Sequence, residues 1–208
     1  MILKAKHNFF LYNFFQFYGW LAIKKNFHDV NFIGNFDDKK LSIIVIANHI
    51  SWWDGFWIMY FNRKILKRKF YFMMLEEQLK KYRFFNYCGG FSISKNKKSI
   101  IESLKYCIEL LNQPENMILI FPQGKIQSMH LQNFSFQKGI QYILQNSSKN
   151  FQVLFLANIV DYFSNSKPTL NVYYKEYIAK SPEIKDLQDG YNKFYLNSLD
   201  LQINHMNL

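Results

Sequence analysis

The residues best suited to chemistry in this sequence are His49 and Asp54, separated by a short, mostly apolar segment. They close the stretch Asn48, His49, Ile50, Ser51, Trp52, Trp53, Asp54, which comes after an apolar run from Ser42 to Ala47. An aspartate that accepts from one imidazole N–H fixes the ring's tautomer and leaves the other nitrogen free to take a proton. A base held in this way contributes typically ~10²–10⁴ in rate. The same two residues also suit a helix-capping histidine paired with a neighbouring carboxylate. What decides between the two is how the chain presents them.

The run Ser42 to Ala47 reads as a strand, and the turn after it places polar residues at the carboxyl edge of a sheet, where α/β proteins bind ligands. Ser51 suits the N-cap of the next helix. Further strands are predicted over Phe70 to Met74, Gly90 to Ser94, Met117 to Phe121, Val153 to Ile159 and Leu170 to Tyr174. Helical spacing runs through Trp52 to Leu66, Glu76 to Tyr87, Ser99 to Leu111, Phe136 to Gln145 and Lys185 to Leu199. This alternation predicts a single α/β domain with a mixed, largely parallel sheet flanked by helices. Trp52, Trp53 and Trp57 suit either core packing or the lining of an acyl-chain tunnel. His7, His28 and His205 lie in polar or terminal surroundings and are expected to face solvent, and His130 is expected in a loop. From Asp189 onward the helix is polar and carries no functional signal.

Phe9 to Ile23 is apolar and flanked by Lys4, Lys6, Lys24 and Lys25. It is shorter than the ~20 residues that span a bilayer, and Trp20, Leu21 and Ile23 occupy the place of a signal-peptide cleavage site. A helix lying in the membrane interface fits this pattern, as does an ordinary helix packed on the core. Residues 1–28 are therefore set apart as an N-terminal membrane-associating helix, and residues 29–208 as the main domain. The formal net charge of +11 points to an anionic partner. The basic clusters are Arg63, Lys64, Lys67, Arg68 and Lys69, then Lys80, Lys81 and Arg83, then Lys95, Lys97 and Lys98. No nucleic-acid-binding motif accompanies them, so an anionic membrane surface is expected and nucleic acid is not. The aromatic share of 19% suits an interface too, although a codon bias toward Phe and Tyr produces the same excess. Cys88 and Cys107 lack metal-ligand spacing and read as reduced, buried thiols.

Asn48, His49, Ser51 and Asp54 together resemble the NHxxxxD block of the glycerolipid acyltransferases, whose best-known members acylate lysophosphatidic acid. Further blocks come in that family's order. Gly89 to Lys95 resembles the second, which usually closes with an arginine. Phe121, Pro122, Gln123, Gly124, Lys125, Ile126 resembles the third, usually Phe-Pro-Glu-Gly-Thr-Arg. Phe136 to Gly139 is similar to the Phe-Lys-Xaa-Gly segment, and Val153 to Ile159 to the strand of the fourth block. The resemblance covers Leu41 to Val160.

The resemblance implies that His49 deprotonates an acceptor hydroxyl, which attacks the thioester of an acyl-CoA or acyl carrier protein, while Asp54 holds the histidine. It implies no metal and no bound cofactor, the thioester being a co-substrate. Asn48, Ser51, Lys95, Gln123, Gly124 and Lys125 are implied as substrate-binding residues. An amide near Gly124 is an oxyanion-donor candidate, though Gly124 also suits a plain turn. The implied setting is lipid synthesis at the cytoplasmic face of the inner or plasma membrane, with the protein peripheral or monotopic. The departures point to a further acceptor class. Lys95 and Ile126 stand where the family has phosphate-binding arginines, and Gln123 replaces a glutamate. An acceptor without a phosphomonoester, such as an aminolipid, pigment or glycolipid, is the alternative. A catalytically silent lipid-binding relative is a third reading.

Overall fold

In the computed structural model, residues 2–94, 96–147, 150–178, 181 and 183–204 are described. The expectations for Lys95 and His205 fall outside these residues. The chain runs α1 (Phe9–Asn26), β1 (Asp29–Asn35), β2 (Ser42–Ala47), α2 (Asp54–Phe61), β3 (Lys69–Leu75), α3 (Glu76–Lys81), α4 (Phe84–Tyr87), β4 (Gly90–Ile93), α5 (Lys97–Leu111), β5 (Asn116–Ile120), α6 (Gly139–Asn146), β6 (Phe151–Asp161), β7 (Thr169–Tyr177) and α7 (Ile184–Asn204). The strands form one seven-stranded sheet in the order β1-β7-β6-β2-β5-β3-β4. Every neighbouring pair is parallel except β6 with β7. This is the mixed, largely parallel α/β sheet that the alternating pattern predicted.

β2 lies in the middle, between β5 and β6, and all of its residues are buried. Its alternation serves two cores at once. Ile44 and Ile46 face Leu104, Ile140, Leu187 and Tyr191, from α5, α6 and α7. Ile43, Val45 and Ala47 face Ile23, Phe56, Trp57 and Phe61, from α1 and α2. A central strand covered on both faces needs a continuous apolar run, and Ser42–Ala47 supplies it.

Three local features depart from the sequence reading. β1 was not predicted, because its residues Asp29, Asn31, Gly34 and Asn35 disfavour strands. It forms as an edge strand, pairing in parallel with β7 from Asp29 opposite Thr169 to Asn35 opposite Lys175. The helix expected over Trp52 to Leu66 changes at Asn62 into a π-helical turn, closed by the Lys67 N–H on the Asn62 carbonyl at 2.6 Å. Buried Asn62 then ties the turn to Arg68, the residue before β3, accepting from Arg68 N at 3.0 Å and donating to Arg68 O at 2.8 Å. The helix expected over Glu76 to Tyr87 is broken into α3 and α4.

The N-terminal residues are stitched onto the sheet edge. Leu3 N donates to Ser92 Oγ at 2.8 Å, and Ser92 N to Leu3 O at 3.0 Å. Lys6 and Asn8 donate to the carbonyls of Asn86 and Tyr87. The strap covers β4, an edge strand that would otherwise expose unpaired backbone groups. α1 then crosses α2 closely at Gly19, where an added Cβ would come within 3.1 Å of the Phe56 ring. Residues 2–28 therefore share a core with the rest of the chain through Ile23. No helix of the described residues is long and apolar enough to cross a membrane.

Candidate active site

The chain leaves β2 at Ala47 and turns before α2 begins at Asp54. Asn48 fixes where the strand ends. It is fully buried, its Nδ2 donating to Asn158 O at 2.9 Å and its Oδ1 accepting from Asn158 N at 2.8 Å. Expected at the substrate, Asn48 instead spends its amide on the backbone of β6.

His49 comes next, at the carboxyl edge of the sheet. Its Nδ1 lies 2.7 Å from Asp54 Oδ2. The same oxygen accepts from Ile50 N at 2.7 Å and Ser51 N at 3.0 Å. The turn folds back so that the carboxylate meets the imidazole, and its own amides lock the carboxylate there. Asp54 is completely buried, while 22% of the His49 side chain is exposed. Burial pushes the Asp54 carboxyl above its usual range, against the pull of His49 and of the Ser51 and Ile50 amides. Asp54 Oδ1 is buried without a hydrogen-bond partner. With the carboxylate ionised and the imidazole neutral, this pairing puts the hydrogen on Nδ1 and leaves Nε2 free to accept a proton.

The β5–α6 loop holds His49 from the other side. The Phe121 ring stacks on the imidazole at 4.0 Å between centroids, tilted by 9°. Gln123 Oε1 accepts from the His49 N–H at 2.7 Å, and Gln127 N donates to the His49 carbonyl at 2.9 Å. Gln123 Nε2 donates to Gln127 Oε1 at 2.6 Å, which closes a ring of hydrogen bonds around the His49 backbone. A glutamate at position 123 would accept from His49 in the same way but has no N–H for Gln127.

The other expected residues take varied places. Ser51 is not the N-cap of α2; that position is Trp53, and Ser51 Oγ accepts from Trp53 N at 3.1 Å. Gly124 has φ +70°, the left-handed region that favours glycine, and its N–H donates to Phe121 O at 3.1 Å. Its own amide is thus committed to a turn. Gln123 is buried, whereas Lys125 and Ile126 are exposed. Trp57 is buried among α1, α2 and the sheet, and Trp52 is exposed. Trp53 and Trp57 help line a cavity of about 100 Å³ between α1 and α2. A second cavity, about 550 Å³, is lined by Lys39, Phe151 and Glu176 at the opposite edge of the sheet from His49. Among the described residues no group of three His, Cys, Asp or Glu comes together to hold a metal ion.

Gln127, Phe121 and Asn158 were missed as parts of the site. Gln127 stands in an irregular loop, where spacing gives no periodic signal, and only the folded path brings it to His49.

No curated protein matches the chain. Residues 24–159 match the family model described as Acyltransferase. That span, more than half of the sequence, carries both sides of the His49 site, and the chain belongs to the acyltransferase family.

Proposed function

We propose that this acyltransferase moves a fatty acyl group from an acyl-CoA or acyl carrier protein thioester to the hydroxyl of a lysophospholipid-like acceptor. The observation that carries the reading is the 2.7 Å pairing of His49 Nδ1 with a buried carboxylate that two backbone N–H groups also hold. In this mechanism the acceptor hydroxyl passes its proton to His49 Nε2 as its oxygen attacks the thioester carbonyl. The tetrahedral intermediate expels the thiolate, which takes the proton back from the imidazolium. An ester and a free thiol result, and the base is regenerated. Asp54 keeps the tautomer correct and offsets the positive charge while the imidazolium exists.

A membrane surface as the working place is supported by the outer side of α1. Phe10, Phe14, Phe17 and Leu21 recur at helical spacing and are all exposed, Phe10 by 80% and Phe14 by 58%. The opposite side carries Tyr12, Phe15 and Ile23, packed on the core. A helix apolar all round needs a second apolar partner, and a bilayer interface supplies one. Lys24 and Lys25 in the last turn add charge that suits anionic lipid. The cytoplasmic face of the inner or plasma membrane is the proposed side, where acyl thioesters are available.

Ile126, half exposed beside the ring of hydrogen bonds on His49, favours a second acceptor class. It stands where the resemblance calls for an arginine, and an acceptor without a phosphomonoester suits it. The test is a panel of acceptors with an acyl-CoA and an acyl carrier protein donor: lysophosphatidic acid against an uncharged lyso-glycolipid and an aminolipid. Transfer to at least one acceptor, abolished in His49→Ala with the fold retained, is the expected result. A strong preference for lysophosphatidic acid would exclude the second class, and full activity in His49→Ala would remove the mechanism.

A further inference from the structure

The eighteen residues between β5 and α6, from Phe121 to Lys138, have little regular structure, yet they hold one side of His49 through Gln123 and Gln127. Something must hold the loop in turn. Its far half is fastened to α7 through side chains on one face of that helix. Gln188 Oε1 accepts from Phe136 N at 2.8 Å. Asn192 Oδ1 accepts from Phe134 N at 2.9 Å, and its Nδ2 donates to Phe134 O at 3.2 Å. Tyr195 Oη donates to Met129 O at 3.5 Å. Between these tethers the Phe134 ring sits edge-on to Tyr191 and Tyr195, at 5.7 and 4.7 Å, almost wholly buried.

Tyr191 reaches the other support of the site. It is fully buried, and its hydroxyl donates to Leu156 O at 2.8 Å, opposite Ala47 in the β2–β6 pairing. The Asn48 backbone N–H also faces this hydroxyl. One helix thus touches both the strand end that launches His49 and the loop that covers it. Side-chain amides bonded to loop backbone in this way act as a strand neighbour would, giving the loop one path.

We infer that α7 is a bracket for the acceptor side of the active site, with Gln188 and Asn192 as positioning residues that hold loop 121–138 at His49. The inference rests on the acyl-transfer reading. α7 lies outside the span matched by the family model. Loosening it lets Lys125 and Ile126 drift from His49 before it disturbs the His49–Asp54 pair, which is built within residues 49–54. Acceptor binding should suffer first.

The test uses the full chain and compares Asn192→Leu, which keeps volume and loses both bonds, with Asn192→Asp, which keeps the acceptor for Phe134 N. A double variant, Gln188→Leu with Asn192→Leu, completes the set. The double variant is expected to raise the acceptor KM about tenfold or more while leaving the donor KM near that of the parent. Asn192→Asp should stay within about threefold of the parent, and Asn192→Leu should fall between. Amide hydrogen exchange should quicken at residues 127–136 in the leucine variants and stay slow in β2. Should the double variant fail to fold, the order of the two single variants decides in the same way. Equal activity in Asn192→Leu and Asn192→Asp, or a folded double variant with the parent's acceptor KM, would overturn the bracket. Absence of transfer by the parent itself would instead overturn the proposed function, and the two failures are thereby distinct.

Discussion

Replacing Asp54 by Asn keeps the shape of the side chain and removes its charge, which separates orientation from electrostatics. Asp54 Oδ2 takes the His49 ring at 2.7 Å and the N–H groups of Ile50 and Ser51 at 2.7 and 3.0 Å. An amide oxygen in that place still accepts from all of them, so the turn survives. What is lost is the attraction between the carboxylate and the imidazolium that forms when the hydroxyl proton arrives. Unit charges about 4 Å apart at a partly exposed site attract by about 4 kcal/mol. At 1.36 kcal/mol per factor of ten, the expected loss in turnover is about a thousandfold. Release of free thiol from an acyl thioester in the presence of acceptor measures it directly. Cys88 and Cys107 are buried and do not compete for the thiol reagent.

Stability should move the other way. Burial raises the Asp54 carboxyl despite the donors around it. A carboxyl raised in the folded state stabilises the fold below its unfolded pKa, and that contribution is lost as pH climbs through the folded value. At neutral pH the ionised Asp54 therefore costs stability, and the Asn variant should melt no lower than the parent. Its advantage should shrink on acidification, between the raised value and the ordinary carboxylate range. Turnover within tenfold of the parent would refute the role given to the carboxylate.

Two further perturbations probe the loop and the membrane face. Gln123→Glu places a negative charge at the His49 N–H and forces Gln127 to turn its amide, since the present 2.6 Å contact would set two acceptors together. One hydrogen bond of ~1 kcal/mol is then lost from the ring around the His49 backbone, so kcat/KM should fall about fivefold, and an unchanged value would contradict the placement of Gln123. Phe10→Ser with Phe14→Ser removes two exposed rings from the outer side of α1. Each ring is worth ~1.5–3 kcal/mol when fully buried, so sedimentation with anionic vesicles should weaken about tenfold or more. Unchanged sedimentation, in a variant with the parent's melting temperature, would remove α1 as the membrane face.

Much of this protein is set by its order of residues alone. The run Ser42–Ala47, short and rich in β-branched residues, reads as a strand buried on both faces, and such a strand delivers Asn48 and His49 to the carboxyl edge of a parallel sheet. The pairing of His49 with Asp54 is similarly local, since the turn's own amides hold the carboxylate. The ends of the elements were less legible. β1 carries Asp, Asn and Gly and forms only because β7 offers a parallel partner. The π-turn after α2 depends on Asn62 reaching Arg68 across it.

The rest of the site was decided by tertiary structure. Asn48 is a sheet clamp because Asn158, far along the chain, arrives beside it. Gln127 meets His49, and Gln188 and Asn192 meet Phe136 and Phe134, through loop backbone that has no period to read. A side chain bonded to distant backbone leaves no mark in spacing, because neither partner's type requires the other. Local sequence supplies the base and its orienter. Packing across the fold decides what stands around them.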